Sequence, residues 1–299
     1  HKGLLRHTLL ADIPVYLLEN KELFYRDYLY GSPTGDYPDN PRRFAFFCRG
    51  VLEILKRMDY RPDVLHCHDW QAALIPLLLK HEYACDPFFA DMAVILTIHN
   101  LAYQGLFPVT ALDEMGLDKS YFDIGSVEYY GKVNLMKGGI LTADLINTVS
   151  ETYCEEILTD EQGCGLDGVL RTRRDSLSGI LNGIDHTLWD PATDLDILKN
   201  YTASAPAGKA ADKKALQKQL GLEQDANIPL VGMVTRMIAQ KGFDLIEPLL
   251  PDIAAKELQL AVIGSGDAKY VKMINDIRAR GAANIVQHEG FDPAHARKI

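Results

Sequence analysis

The sequence is short of cysteine. It has five, Cys48, Cys67, Cys85, Cys154 and Cys164, odd in number, scattered and never spaced as C-x-x-C. That pattern excludes a disulfide framework or a zinc ribbon and fits a reduced, intracellular compartment. Long apolar runs are also missing. A bilayer span needs roughly 18–20 apolar residues, whereas the run from Ala72 to Leu79 is short and interrupted by Pro76. There is no excess of positive charge: 31 Lys and Arg stand against 41 Asp and Glu, a formal net charge of −10. This argues against a duplex nucleic-acid binder, whose basic face must replace counterions. It leaves open a local basic pocket for a phosphorylated small molecule. Solenoid repeats and low-complexity tracts are absent, and the chain begins at His1 with no initiator Met or signal region.

What is present is an ordinary globular mix, 47% hydrophobic and 24% charged over 299 residues. At roughly 150 residues per domain, that length suggests two domains. Short β-branched runs alternate with longer helical patterns. Strands are expected at Ile13–Leu17, Asp63–His66, Ala93–Ile98, Asp144–Val149, Ser178–Leu181, Pro229–Val234, Leu258–Ile263 and Asn284–Gln287. Several are continuously apolar, as parallel strands covered on both faces are. The interval is 30 positions from Val64 to Val94 and 31 from Val231 to Val262, the length of a βαβ unit. Pro41 opens a helix in which Phe44, Phe47, Val51, Leu55 and Met58 recur at helical spacing. Ser150 is placed to cap the helix of ETYCEEIL. The polar, weakly patterned stretch from Asn200 to Asn227 reads as a lead-in helix and linker, with a domain boundary near Asp225.

In an open α/β sheet, ligands bind beyond the carboxyl ends of the strands. The residues there are His66-Cys67-His68-Asp69-Trp70, His99-Asn100, then Asn182, Gly183 and Asp185, then Thr235-Arg236, and Gly264-Ser265-Gly266-Asp267. Polar or glycine-rich turns after five strands point to a cleft between two α/β domains. G-S-G-D would let backbone amides and a helix N-terminus face an anion, but Lys269 stands where a third glycine would complete G-x-G-x-x-G. Arg236 and Lys241, beside a helix start, would suit a diphosphate; taken alone they read more readily as solvated surface charges. His66 and His68 point the same way on an extended segment and, with His99 and Asp185, form a candidate metal set. Trp70 and Cys67 read as packing residues. Lys137-Gly138-Gly139 lies inside a helical pattern and reads as helix packing, not as a phosphate loop.

The blocks HCHDWQAALIPLLLK, LTIHNLAYQGLFP, KVNLMKGGILTADLINTVSETYCEEI, GCGLDGVL, GILNGID and TRMIAQKGFDL occur in that order. Together they resemble the bacterial glycogen synthases and plastid starch synthases, retaining glucosyltransferases of the GT-B fold, along essentially the whole chain. The resemblance implies an α/β chain of two Rossmann-like domains facing across a cleft, both incomplete here. Residues 1–224 would be the N-terminal, acceptor-side catalytic domain and 225–299 the nucleotide-binding domain. It implies transfer of glucose from ADP-glucose to the non-reducing end of an α-1,4-glucan, with no metal or other cofactor. It also implies no nucleic-acid or membrane partner, and a bacterial cytoplasmic or plastid-stromal location. By motif, Arg236 and Lys241 would bind the donor diphosphate and stabilise the departing ADP. His99 would sit against the transferred glucose, and Asp69 would line the donor–acceptor junction. Asn182 and Asn100 would belong to the sugar site. Gly264, Ser265, Gly266 and Asp267 would pass the nucleotide, and Phe291 would stack on adenine.

Two family features fall outside these 299 residues: an N-terminal lysine-glycine-glycine loop and a C-terminal glutamate motif. The expectation is therefore an internal stretch that transfers glucose poorly by itself. The competing readings are a metal-dependent hydrolase using His66, His68, His99 and Asp185, and a non-catalytic glucan- or nucleotide-binding protein.

Overall fold

A computed structural model describes residues 2–32, 35–290 and 292–299. The chain divides into two compact units, His1–Asn182 and Gly183–Ile299. Each holds its own parallel sheet and its own apolar core.

The first unit opens with strands β1 (Leu4–Leu10) and β2 (Ile13–Glu19), paired antiparallel. Ala11 and Asp12 turn the hairpin with φ of 45° and 68°, the geometry whose twist matches the flanking strands. The strand expected at Ile13–Leu17 therefore exists, but it pairs with its own neighbour rather than in a parallel sheet. Helix α1 (Asn40–Arg57) has Pro41 in its first turn, where the missing N–H has no intrahelical partner to lose. Its buried seam is Ala45, Cys48, Leu52 and Leu55; the expected row of Phe44, Phe47 and Val51 flanks that seam, half-buried against the same core, and Met58 is exposed.

There follow β3 (Val64–His68), α2 (Leu74–His81), β4 (Ala93–Ile98), α3 (Leu135–Thr142), β5 (Leu145–Thr148), α4 (Glu151–Glu156) and β6 (Leu177–Gly179). The four strands β3 to β6 form one sheet in the order β6-β5-β4-β3, every pair parallel. In β4, Val94, Leu96, Thr97 and Ile98 are buried on both faces, which explains the unbroken apolar run. Leu74, Leu77, Leu78 and Ile140 cover the sheet from α2 and α3, each worth about 1.5–3 kcal/mol of burial. Lys137-Gly138-Gly139 lies within α3. Ser150 caps α4, its hydroxyl accepting the Tyr153 N–H at 2.9 Å.

The second unit contains α5 (Gly208–Gln219), β7 (Leu230–Val234), β8 (Gln259–Ile263), α6 (Ala268–Ala279), β9 (Ile285–His288) and α7 (Pro293–Lys298). Its sheet is parallel, in the order β7-β8-β9, with every residue of β8 buried. Helix α5 docks through the buried Gln217, whose amide donates to Gln259 Oε1 at 2.8 Å and to the Asp225 carbonyl at 2.9 Å. By contacts the segment 183–224 thus groups with the second sheet, whereas the sequence pattern set a boundary near Asp225. Among the described residues no helix is long and apolar enough to cross a membrane.

Candidate functional site

Parallel pairing brings the carboxyl ends of all strands in a sheet to one edge. Each unit carries one group of the expected residues there.

In the first unit, Asp69 follows β3 directly, with φ of +55°, a conformation that a short polar residue tolerates better than most. From there its Oδ1 accepts the backbone N–H of His99 at 2.8 Å, joining the ends of β3 and β4. Asn100 builds the next turn: its side-chain oxygen accepts the Ala102 N–H at 3.0 Å, and its carbonyl accepts the Tyr103 N–H at 3.2 Å. The hydroxyl of Tyr153, on α4, accepts the Leu101 N–H at 3.0 Å. Buried Gln104 donates to the Leu101 carbonyl at 3.1 Å and the Cys164 carbonyl at 3.0 Å, and accepts from Asn134 Nδ2 at 2.7 Å. Gly105 closes the loop at φ of +64°, where an added Cβ would lie 2.6 Å from the Trp70 ring. Trp70 is buried against Phe44 and Phe107 at ring-centroid distances of 4.7 and 5.7 Å, the packing role expected of it. The His99 loop is thus pinned at four points while the His99 side chain stays exposed.

The three histidines lie on one face of the β3–β4 pair. His66 Nε2 meets Thr97 Oγ1 at 2.6 Å, and His68 Nδ1 meets His99 Nε2 at 3.0 Å. The His66 and His68 rings lie 4.2 Å apart, centroid to centroid. Each of these contacts commits one ring nitrogen to a hydrogen bond along the sheet, so the rings do not converge on a point. Among the described residues no group of three or more His, Cys, Asp or Glu could hold a metal ion, and the metal set of His66, His68, His99 and Asp185 gains no support. Cys67, between the two histidines in sequence, turns to the other, buried face of the sheet, and burial pushes its thiol up to about 12. It is the small core residue expected rather than a thiolate nucleophile. Asn182 lies exposed three residues beyond β6.

In the second unit, Arg236 lies two residues past β7, and Lys241 ends a single 3₁₀ turn, Ala239–Lys241. Both are exposed, and neither has an ion-pair partner among the described residues. The loop carrying Arg236 runs beside the glycine loop after β8. Met237 donates to the Ser265 carbonyl at 3.0 Å, and the Asp267 N–H donates back to the Met237 carbonyl at 2.9 Å. Gly264 has φ of +153°, and a Cβ there would lie 1.9 Å from the Thr235 carbonyl oxygen. Gly264, Ser265, Gly266 and Asp267 are therefore brought against the arginine loop, just before the start of α6. Phe291 lies outside the described residues.

Sequence reading missed the residues that hold His99: His68 as its ring partner, Tyr153, Gln104, and the Thr97–Asn147 pair behind His66. Thr97 and Asn147 left a signal, as polar residues inside the apolar strands AVILTI and LINT. Tyr153 left none, because its hydroxyl meets the loop only once α4 has packed beside it.

Residues 2–172 match the starch synthase catalytic domain family. The chain is 64% identical over 298 residues to a glycogen synthase of Geotalea uraniireducens, and 60% identical over 299 residues to glycogen synthase 2 of Geobacter sulfurreducens. It is covered completely in both comparisons and spans 62% of each relative's length. Among solved structures, it is similar to the catalytic domain of starch synthase IV from Arabidopsis thaliana, bound to ADP and acarbose. The TM-score is 0.88 at 30% identity, over 99% of this chain and 61% of that one. The α/β architecture with parallel sheets agrees with the GT-B type expected from the motifs. By sequence and by fold, the chain belongs to the starch synthase catalytic domain family.

Proposed function

We propose that this chain is the greater part of a glycogen or starch synthase, which moves glucose from ADP-glucose to the 4-hydroxyl at the non-reducing end of an α-1,4-glucan with retention of configuration. The observation that carries the reading is the pair of exposed cations, Arg236 and Lys241, without an ion-pair partner among the described residues and borne on the segment whose Thr235–Met237 stretch lies against the Gly264–Asp267 loop. Backbone amides, a helix start and two cations suit a diphosphate. The Arabidopsis relative bound to ADP and acarbose, a nucleotide and a saccharide, supports the same ligand classes.

On this reading residues 225–299 contribute the nucleotide-binding portion. Arg236 and Lys241 hold the diphosphate and stabilise the charge that grows on ADP as the bond to the anomeric carbon breaks. His99 lies against the transferred glucose, with Asp69 holding its backbone in place. Asn100 shapes the same turn, and Asn182 reaches a sugar hydroxyl. Gly264, Ser265, Gly266 and Asp267 pass along the nucleotide, and Phe291 stacks on adenine. The reaction needs no bound metal, and the enzyme works in the bacterial cytoplasm or the plastid stroma.

The test uses the complete reading frame, a chelator, ADP-glucose or UDP-glucose, and an α-glucan primer. Incorporation from ADP-glucose is expected to persist in chelator. In Arg236→Ala and in Lys241→Ala it is expected to fall about 10²–10³-fold, the usual cost of losing one preorganised charge-stabilising contact. No incorporation from either donor would overturn the proposal.

A further inference from the structure

Asp69 holds the His99 N–H, Tyr153 holds the Leu101 N–H and Gln104 holds the Leu101 carbonyl. With its backbone fixed, His99 keeps two freedoms, the rotation and the tautomer of its imidazole. Among the described residues, His68 is placed against that ring and restricts both. We infer that His68 is a positioning residue for His99, tying the His99 Nε2 and leaving Nδ1 as the ring nitrogen presented to the sugar. The inference rests on the glucosyl-transfer reading for its consequence, and on the ring geometry for its substance.

The register of β3 and β4 explains why the two rings meet. His66 pairs with Ile95, and His68 with Thr97, in the parallel ladder. Side chains two residues apart on a strand share a face, so His66 and His68 lie along the same face as Thr97 and His99. Two successive rungs result, His66 to Thr97 at 2.6 Å and His68 to His99 at 3.0 Å. The first rung is anchored in turn: the Thr97 hydroxyl donates to the Asn147 side-chain oxygen on β5. Thr97 must therefore accept from His66 Nε2–H, and His66 stands in a defined tautomer. Its ring lies 4.2 Å from that of His68, tilted by 36°, and limits how that ring can turn.

Two imidazole nitrogens 3.0 Å apart bond through one shared proton. If both carried hydrogen they would repel, and if neither did there would be no bond, so the two tautomers are coupled: Nδ1–H on His68 goes with Nδ1–H on His99, and Nε2–H on His99 goes with a bare Nδ1 on His68. Burial first, and then His66 and His99, hold His68 below the ordinary histidine value. His68 thus stays neutral near pH 7 and able to share that proton.

The test has two readouts. In the 299-residue chain with ¹⁵N-labelled histidine rings, long-range proton–nitrogen spectra of the wild type should show His68 and His99 protonated on Nδ1 to the same extent, as one shared proton requires. His68→Phe, which keeps a flat ring but no nitrogen, should free the His99 Nε2 and shift the balance of its tautomers. His68→Asn, whose amide can donate to or accept from that nitrogen, should keep it hydrogen-bonded. An unchanged His99 spectrum in His68→Phe would overturn the inference. In the complete synthase, His68→Phe should lower kcat about 10–100-fold, as small misplacements at a reacting centre do, with KM nearly unchanged. His68→Asn should recover most of that loss. Equal loss in both variants would mark His68 as mere packing and would also overturn the inference. A wild type that shows the tautomer coupling but transfers no glucose would instead overturn the functional reading, with the ring bond standing.

Discussion

Lys137 shows what one residue can hold. It is only 5% exposed, yet it lies inside α3 in a run that reads as plain helix packing. Its ammonium donates to the Ile124 carbonyl at 2.7 Å and to the Glu128 carbonyl, and burial keeps it below the ordinary lysine value. A buried cation with no ion pair among the described residues is costly, and here two backbone oxygens replace water while the charges of Glu128 and Asp123 offset part of the burial. Lys137→Met removes the charge but leaves both carbonyls without a donor. The expected result is a destabilisation of about 1–3 kcal/mol, the usual cost of an unsatisfied buried group, seen as a lower urea midpoint. A midpoint equal to wild type would show that the loop re-pairs elsewhere. Nothing in the VNLMKGGILTA pattern signals this role, because the two acceptors belong to a loop that folds back over the helix.

At the level of elements, the two sheets are legible because they are local. AVILTI and LQLAVI are apolar throughout, since β4 and β8 are covered on both faces. Their spacing reports the crossover helices. The glycine loop after β8 is also visible, but its reason is not. Gly264 is required by the Thr235 carbonyl, which arrives from the end of β7, the neighbouring parallel strand some thirty residues earlier. Gly264→Ala would combine a steric clash with a backbone conformation that side chains avoid. The expected loss of stability is about 3 kcal/mol or more, measured by chemical unfolding of the chain. A loss below about 1 kcal/mol would show that the two loops part easily. The hairpin of β1 and β2 was half legible. Its second strand was plain, but a pairing with Leu4–Leu10 depends on a turn at Ala11-Asp12 that contains no glycine.

For the whole molecule, two cores imply a vulnerable connection. Every residue from Leu181 to Trp189 is exposed, and the division between the units falls at Asn182 and Gly183. Exposed chain with few backbone hydrogen bonds is where proteases cut first. Limited proteolysis should therefore nick within 180–190 before any other segment, leaving two fragments of the size of the units. First cleavage near Asp225, where the sequence pattern changes character, would instead favour a unit boundary there. What places 183–224 with the second unit is the buried pairing of Gln217 with Gln259. Two glutamines 42 positions apart carry no sign in the sequence that they meet.

The sequence by itself determined the order of the elements, the parallel α/β character and the edges at which a ligand could sit. These follow from hydrophobic runs and spacings that each segment carries alone. Tertiary structure decided which side chains at those edges bond to each other. Asp69 grips the His99 N–H and His68 meets the His99 ring only because β3 and β4, some thirty residues apart, pair in one register. A shift of one residue would turn His68 to the other face of the sheet.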